Sequence, residues 1–148
     1  MLRTVSVSIL MTASLSAQPL PQPNLPAKKV VQIQLSALQF NDSPIKNAGI
    51  NLTWEFAHPD NREATGPLQR FTAMIQSPHY KSLLNHSSHT INELEANDMR
   101  SVFQVDVQKQ SGRVLRFIWV VEKVRQGRYK GCWMTTAVTA PMVIMEGV

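Results

Sequence analysis

From Lys28 to Phe40 the apolar positions recur at helical spacing. Val31, Leu35 and Leu38 stand at i, i+4 and i+7, with Val30, Ile33, Ala37 and Phe40 widening that face. Gln32, Ser36 and Gln39 form the wet face, and Asn41-Asp42-Ser43-Pro44 ends the predicted helix. The next segment reads two ways. Ile50, Leu52, Trp54 and Phe56 alternate with Asn51, Thr53, Glu55 and Ala57, as in a strand. Ile50, Trp54 and Ala57 also satisfy helical spacing, and so do Leu52 and Phe56. Periodicity leaves both open, and Pro59 ends the element either way. Gly66-Pro67 marks the start of another helix, in which Leu68, Phe71 and Ile75 share a face. Ser77-Pro78 repeats that signal for a short segment through Leu84.

After His89 the period changes from helical to alternating. Thr90 to Ala96 reads as a strand, followed by an Asn97-Asp98 turn. Phe103, Val105 and Val107 alternate with Gln104, Asp106 and Gln108, which predicts a half-buried strand. Ser111-Gly112 turns the chain into Val114 to Val124. That stretch is apolar on both faces, which predicts the centre of the sheet. Gln126-Gly127 makes another turn, and Arg128 to Val138 reads as the last strand. Helices first and a strand meander afterwards predict an α+β domain: N-terminal helices packed on an antiparallel sheet of about four strands.

The N-terminal part has a different character. Residues 1–17 open with a basic Arg3, continue through an apolar, Ser/Thr-rich stretch and end in Ser16-Ala17. That pattern fits a signal peptide, and its lack of acids fits an organellar transit peptide as well, with a plastid among the destinations. The stretch is too short for a membrane span. Residues 18–28 read as a Pro-rich linker, residues 29–140 as the domain and residues 141–148 as a C-terminal tail.

Charge changes the picture little. The net charge is +5, but Arg3, Lys28 and Lys29 fall in the first 30 residues, which hold no acid. The remainder carries 12 basic and 10 acidic residues and no Lys/Arg-rich run, so nucleic-acid binding is not expected. Cys132 is the one cysteine, which excludes an intramolecular disulfide and predicts a small buried apolar side chain beside Trp133.

Four words in order resemble an uncharacterised domain family of the nuclear transport factor 2-like superfamily, the cystatin-like or SnoaL-like rolls. They are VVQIQLSALQFND (Val30 to Asp42), WEFAHPDN (Trp54 to Asn61), TGPLQRFTAMI (Thr65 to Ile75) and GRYKGCW (Gly127 to Trp133). The resemblance runs from about Val30 to Ala140. His58 departs from it, since a serine is usual there. The resemblance implies that Ile50 to His58 is helical. It also implies a cone-shaped roll, with the curved sheet wrapped round the helices and a cavity at the wide end. Superfamily members use that cavity as isomerases, dehydratases and epoxide hydrolases, and others only bind ligands or partners, so the fold does not choose a function.

Candidate chemistry is sparse. Asp106 and Glu122 have solvated or paired readings on their strands. His79, His86 and His89 match no common zinc spacing and read as surface histidines on a loop. His58 sits beside Asp60 at a helix end, where a charged ring is favoured by the helix dipole. Asn51-Leu52-Thr53 and Asn85-His86-Ser87 match glycosylation acceptors, which matter only on a eukaryotic secretory route. Trp54, Phe56, His58, Phe71, Tyr80, Trp119 and Trp133 are the predicted lining of a pocket for a small apolar ligand, against the plainer reading that the aromatics fill a core. No cofactor or metal is predicted. Three functions remain: a non-catalytic domain binding a small ligand or partner, favoured here; a lyase, isomerase or hydrolase using His58 or a strand acid; and an accessory module that dimerises through the sheet face.

Overall fold

The computed structural model describes Ile9 and residues 17–147. The targeting segment expected at residues 1–17 lies outside the described residues, apart from Ile9 and Ala17. Four helices come first: α1 (Ala27–Gln39), α2 (Ala48–Glu55), α3 (Pro59–Thr65) and α4 (Leu68–Ile75). A 3₁₀ turn (Lys81–Leu83) leads into β1 (Ser88–Ala96), β2 (Arg100–Gln108), β3 (Val114–Lys123), β4 (Trp133–Val138) and β5 (Met142–Met145). The fold is α+β, with helices followed by an antiparallel sheet, as the change of period predicts.

The sheet is an open meander in the order β1-β2-β3-β4, and β5 also pairs with β3. β4 runs beside Trp119 to Lys123 and β5 beside Val114 to Arg116, so the two share one edge of the central strand. Leu115, Phe117, Trp119 and Val121 of β3 face the helices and are buried. Val114, Ile118 and Val120 on its other face are half exposed. Across from β3, Phe103, Val105 and Val107 of β2 complete the inner surface.

α1 lies over this surface through Val30, Val31, Leu35 and Leu38, all fully buried. Burying side chains of this kind contributes about 1.5–3 kcal/mol each before the entropy of ordering is charged against it. α2 crosses α1 closely. A Cβ on Gly49 would collide with the Ala37 carbonyl oxygen, so the crossing requires glycine there.

The structure resolves the ambiguous segment as helix: α2 holds Trp54, and Phe56 caps it. The chain then turns at His58 into α3, a helix absent from the periodicity reading because its sequence PDNREAT has no apolar stripe. The last predicted strand is shorter than expected. Residues 128–131 form a turn, and β4 begins at Trp133. The four residues of β5 pair where the sequence reading places a tail. The Pro-rich segment reaches the domain: Leu25 packs on the core, and helix α1 starts at Ala27 with Val30 N–H donating to the Pro26 carbonyl at 3.2 Å.

Candidate functional site

A cavity of about 290 Å³ lies between the helices and the inner face of the sheet. α1 supplies Gln34, α4 supplies Phe71, Met74 and Ile75, and the 3₁₀ turn region supplies Tyr80 and Leu83. β3 and β4 supply Trp119 and Thr135 to Val138, and α3 supplies Asn61, Ala64 and Thr65 at the mouth. The lining is mostly apolar, with a few polar groups at the floor and rim, which is the composition of a small-molecule site.

The floor is a closed hydrogen-bond network. The Trp119 Nε1–H points between Gln34 Oε1 and Thr135 Oγ1, 3.1 Å from each. The Thr135 hydroxyl donates to Gln34 Oε1 at 2.5 Å. Gln34 Nε2 donates to the Thr53 carbonyl at 3.0 Å. Gln34, Trp119 and Thr135 are buried, so these bonds offset the cost of removing three polar groups from water. At the rim, the Tyr80 hydroxyl donates to the Val138 carbonyl at 3.0 Å and Asn61 Nδ2 donates to the Thr135 carbonyl at 3.1 Å. Tyr80 is the only side chain of the lining that can ionise.

Of the seven residues expected at a pocket, the structure brings Phe71, Tyr80 and Trp119 together around this cavity. Trp54 lies behind Phe71, ring centroids 5.0 Å apart, and is half buried under the Arg62 guanidinium. Phe56 is wholly buried in the core. Trp133 sits at the start of β4 with Lys123 Nζ 5.3 Å from its ring centre. His58 is the N-cap of α3. Its Nδ1 accepts the Asp60 backbone N–H at 3.1 Å, and the His58 backbone N–H donates to the Thr135 carbonyl at 2.8 Å. That places the ring at the start of α3, not at the end of a helix where the dipole would favour a charge, with the Asp60 carboxylate 3.7 Å from the same nitrogen.

Gln34 and Thr135 were missed as site residues. A signal for Gln34 was available, since it falls in the row Val30, Gln34, Leu38 at i, i+4 and i+8, on the buried stripe. Nothing comparable marks Thr135, which reaches Gln34 only through the fold.

The remaining ionisable candidates lie elsewhere. Asp106 receives a bidentate bond from Arg116 at 2.8 and 2.9 Å, which holds the guanidinium above its ordinary value. Glu122 lies 3.7 Å from Arg100. Cys132 is buried beside Val124 and Met134, and burial pushes its thiol up, away from the reactive thiolate. His79 is exposed, but His86 is buried and bonded to His89, so two of the three loop histidines are not free surface groups. Among the described residues no three His, Cys, Asp or Glu side chains converge as a metal-ligand set, and no helix is long and apolar enough to cross a membrane.

The profile of one protein family, a domain of unknown function (DUF4864), matches residues 22–141. The chain belongs to the DUF4864 family. The match takes in α1 to β4 and every residue lining the cavity, so the cavity is a feature of the DUF4864 domain of this chain and not of its termini. No curated protein and no solved structure matches the chain.

Proposed function

We propose that this DUF4864 domain binds a small apolar or aromatic molecule in the cavity between α1, α4 and the β3–β4 sheet face, without transforming it. The observation that carries this reading is the chemistry of the lining. Its polar floor is already satisfied by Gln34, Trp119 and Thr135, and its walls are Phe71, Met74, Ile75, Leu83 and Val138. General acid–base catalysis needs a titratable group within hydrogen-bond reach of the reacting atom. Among the described residues of the lining, Tyr80, whose hydroxyl proton is donated to the Val138 carbonyl, is the lone ionisable side chain. At about 290 Å³ the space suits an aromatic molecule of two or three rings or a short acyl chain, at the small end of ligand sites.

The same arrangement supports distant kinship with nuclear transport factor 2-like rolls: helices on the inner face of an antiparallel meander, with a cavity between the two. The targeting reading of residues 1–17 would place the domain outside the cytosol or in an organelle, and mass spectrometry of the mature N-terminus tests it.

The test of ligand binding uses N-phenyl-1-naphthylamine, an uncharged fluorophore of suitable size. Saturable fluorescence with a dissociation constant in the micromolar range is expected, lost in Ala64→Trp, which fills the mouth from the surface of α3. A probe that fails to bind, or binds equally to the filled variant, overturns the reading.

A second reading has its own observation. Met142, Val143, Ile144 and Met145 of the edge strand β5 are all exposed, 41–64% of their surface. An uncharged, aliphatic edge strand favours pairing with another chain. A homodimer through this side of the sheet would give a doubled mass by light scattering, reduced to monomer by Val143→Lys.

A further inference from the structure

The loop that walls the cavity is pinned at its far end by two histidines. His86 Nδ1 lies 2.7 Å from the Leu83 carbonyl oxygen, and His86 Nε2 lies 2.7 Å from His89 Nδ1. A carbonyl can only accept, so His86 carries its proton on Nδ1. Its Nε2 is then a lone pair, and His89 must donate from Nδ1. The direction of both bonds is thereby fixed. One added proton fits this arrangement, because it can sit on His89 Nε2. A second cannot: it would occupy His86 Nε2, place N–H against N–H, and set two cations side by side.

The pin joins two elements. His89 stands on β1 opposite Val107 of β2, and Leu83 and Tyr80 belong to the cavity wall. We propose that the His86–His89 pair is a proton-operated latch on that wall, holding the segment Tyr80–Asn85 closed near neutral pH and releasing it, with the bound molecule, in mild acid. The release of a ligand rests on the binding reading above; the latch itself rests on the histidine geometry.

The surroundings favour the uncharged pair. Neither ring is paired with a carboxylate among the described residues. Lys81 is the charged group of the 3₁₀ turn. Past the end of α1, Asp42 is engaged by Asn85, and on β2 Asp106 is held by Arg116 on the opposite face of the sheet, with Lys109 following beyond the strand. Burial lowers both histidines below their ordinary value; for His86 the hydrogen bond to the Leu83 carbonyl opposes this in part and the neighbouring His89 adds to it. An unfolded or open segment therefore binds protons more readily than the closed one. The closed state is fully favoured above the ordinary histidine value near 6.5, and it loses ground as pH falls through the lowered values of the pair. The segment also carries two local costs: Ser82 Oγ is buried without a partner, and Asn85 has φ 54°. Such a segment opens without unfolding the sheet.

The experiment measures amide protection and probe binding on the full chain at about pH 7.5 and about pH 5, values that bracket the histidine range. The Leu83, Leu84 and Asn85 amides donate to Tyr80, Lys81 and Leu38 carbonyls when the segment is closed. Their protection, corrected for intrinsic exchange, should fall about tenfold in acid, with β2–β3 amides unchanged, and N-phenyl-1-naphthylamine affinity should fall in parallel. In His86→Asn/His89→Asn, which cannot titrate, both changes should shrink to under about twofold. The single His89→Asn, at a half-buried position, keeps the donor and removes one charge, so it should also blunt the response if the double variant folds poorly. Acid-dependent protection that persists in these variants, or none in the wild type, overturns the latch. Acid-dependent protection without probe binding at either pH keeps the latch and overturns the ligand reading.

Discussion

The Trp119 indole N–H and the Gln34 side-chain oxygen meet 3.1 Å apart, joining the middle of β3 to the buried face of α1. Both residues are almost wholly buried, so the bond forms where water cannot replace it. Gln34→Leu keeps the volume but leaves the Thr135 hydroxyl proton without its acceptor and takes one of two acceptors from the indole N–H, while the Thr53 carbonyl keeps only the Phe56 N–H. A loss of about 1–3 kcal/mol is expected by urea unfolding. Pairing it with Trp119→Phe should cost less than the sum of the two single changes, because removing both partners relieves the orphaned donor. Strict additivity would show that the network does not act as a unit.

Trp54 makes a different kind of contact. Its ring leans on Phe71, and a Cβ on Gly66 would approach Trp54 Cη2 to 2.9 Å. The side chain is only half buried. Trp54→Ala should therefore cost about 2–3 kcal/mol, below the roughly 3–5 of a fully enclosed aromatic. Gly66→Ala should destabilise as well, since Arg62 and Trp54 leave no room for the methyl group. A Gly66→Ala variant with an unchanged melting temperature would disprove that packing.

His58 offers a direct check on whether its ring is a cap or a reactive group. Asn can accept the Asp60 N–H in place of the imidazole. His58→Asn should keep stability within about 0.5 kcal/mol, and His58→Ala should lose about 1 kcal/mol, the usual value of an N-cap. Equal losses in both would mean that the ring is needed for its packing instead.

The fold class was legible because the two halves of the chain obey different periods. Val30, Val31, Leu35 and Leu38 repeat at helical spacing, while Phe103, Val105 and Val107 alternate, and each set is buried on the face it defines. The site was legible only in part, for a physical reason. Aromatic content marks Phe71, Tyr80 and Trp119 as interior but cannot separate a ring that lines a space from one that fills it, such as Phe56. The polar floor depends on Gln34 and Thr135 meeting across 101 positions of sequence, which no local pattern encodes. The His86–His89 bond was equally hidden, because the i, i+3 spacing brings the rings together only where a left-handed Asn85 and the entry into β1 bend the chain.

The Pro-rich segment ahead of α1 is the last point where sequence and structure part, and it gives a test by truncation. Its proline content reads as that of an extended linker. In the fold, Leu25 N–H donates to the Gln22 carbonyl at 3.1 Å, and the Leu25 side chain packs on the core. Pro23 approaches Gly131 of the β3–β4 turn closely enough that a Cβ there would lie 3.7 Å from the proline Cβ. Proline helps this contact form, because a chain with fixed φ loses less entropy on docking. Deletion of residues 2–17 should leave the thermal midpoint unchanged. Extending the deletion to residue 26 removes Leu25 from the core and the Pro26 carbonyl from the first turn of α1, and should lower stability by about 1–3 kcal/mol. Leu25→Ser in the full chain should reproduce most of that loss. If the longer deletion melts with the shorter one, Leu25 does not hold the segment to the domain.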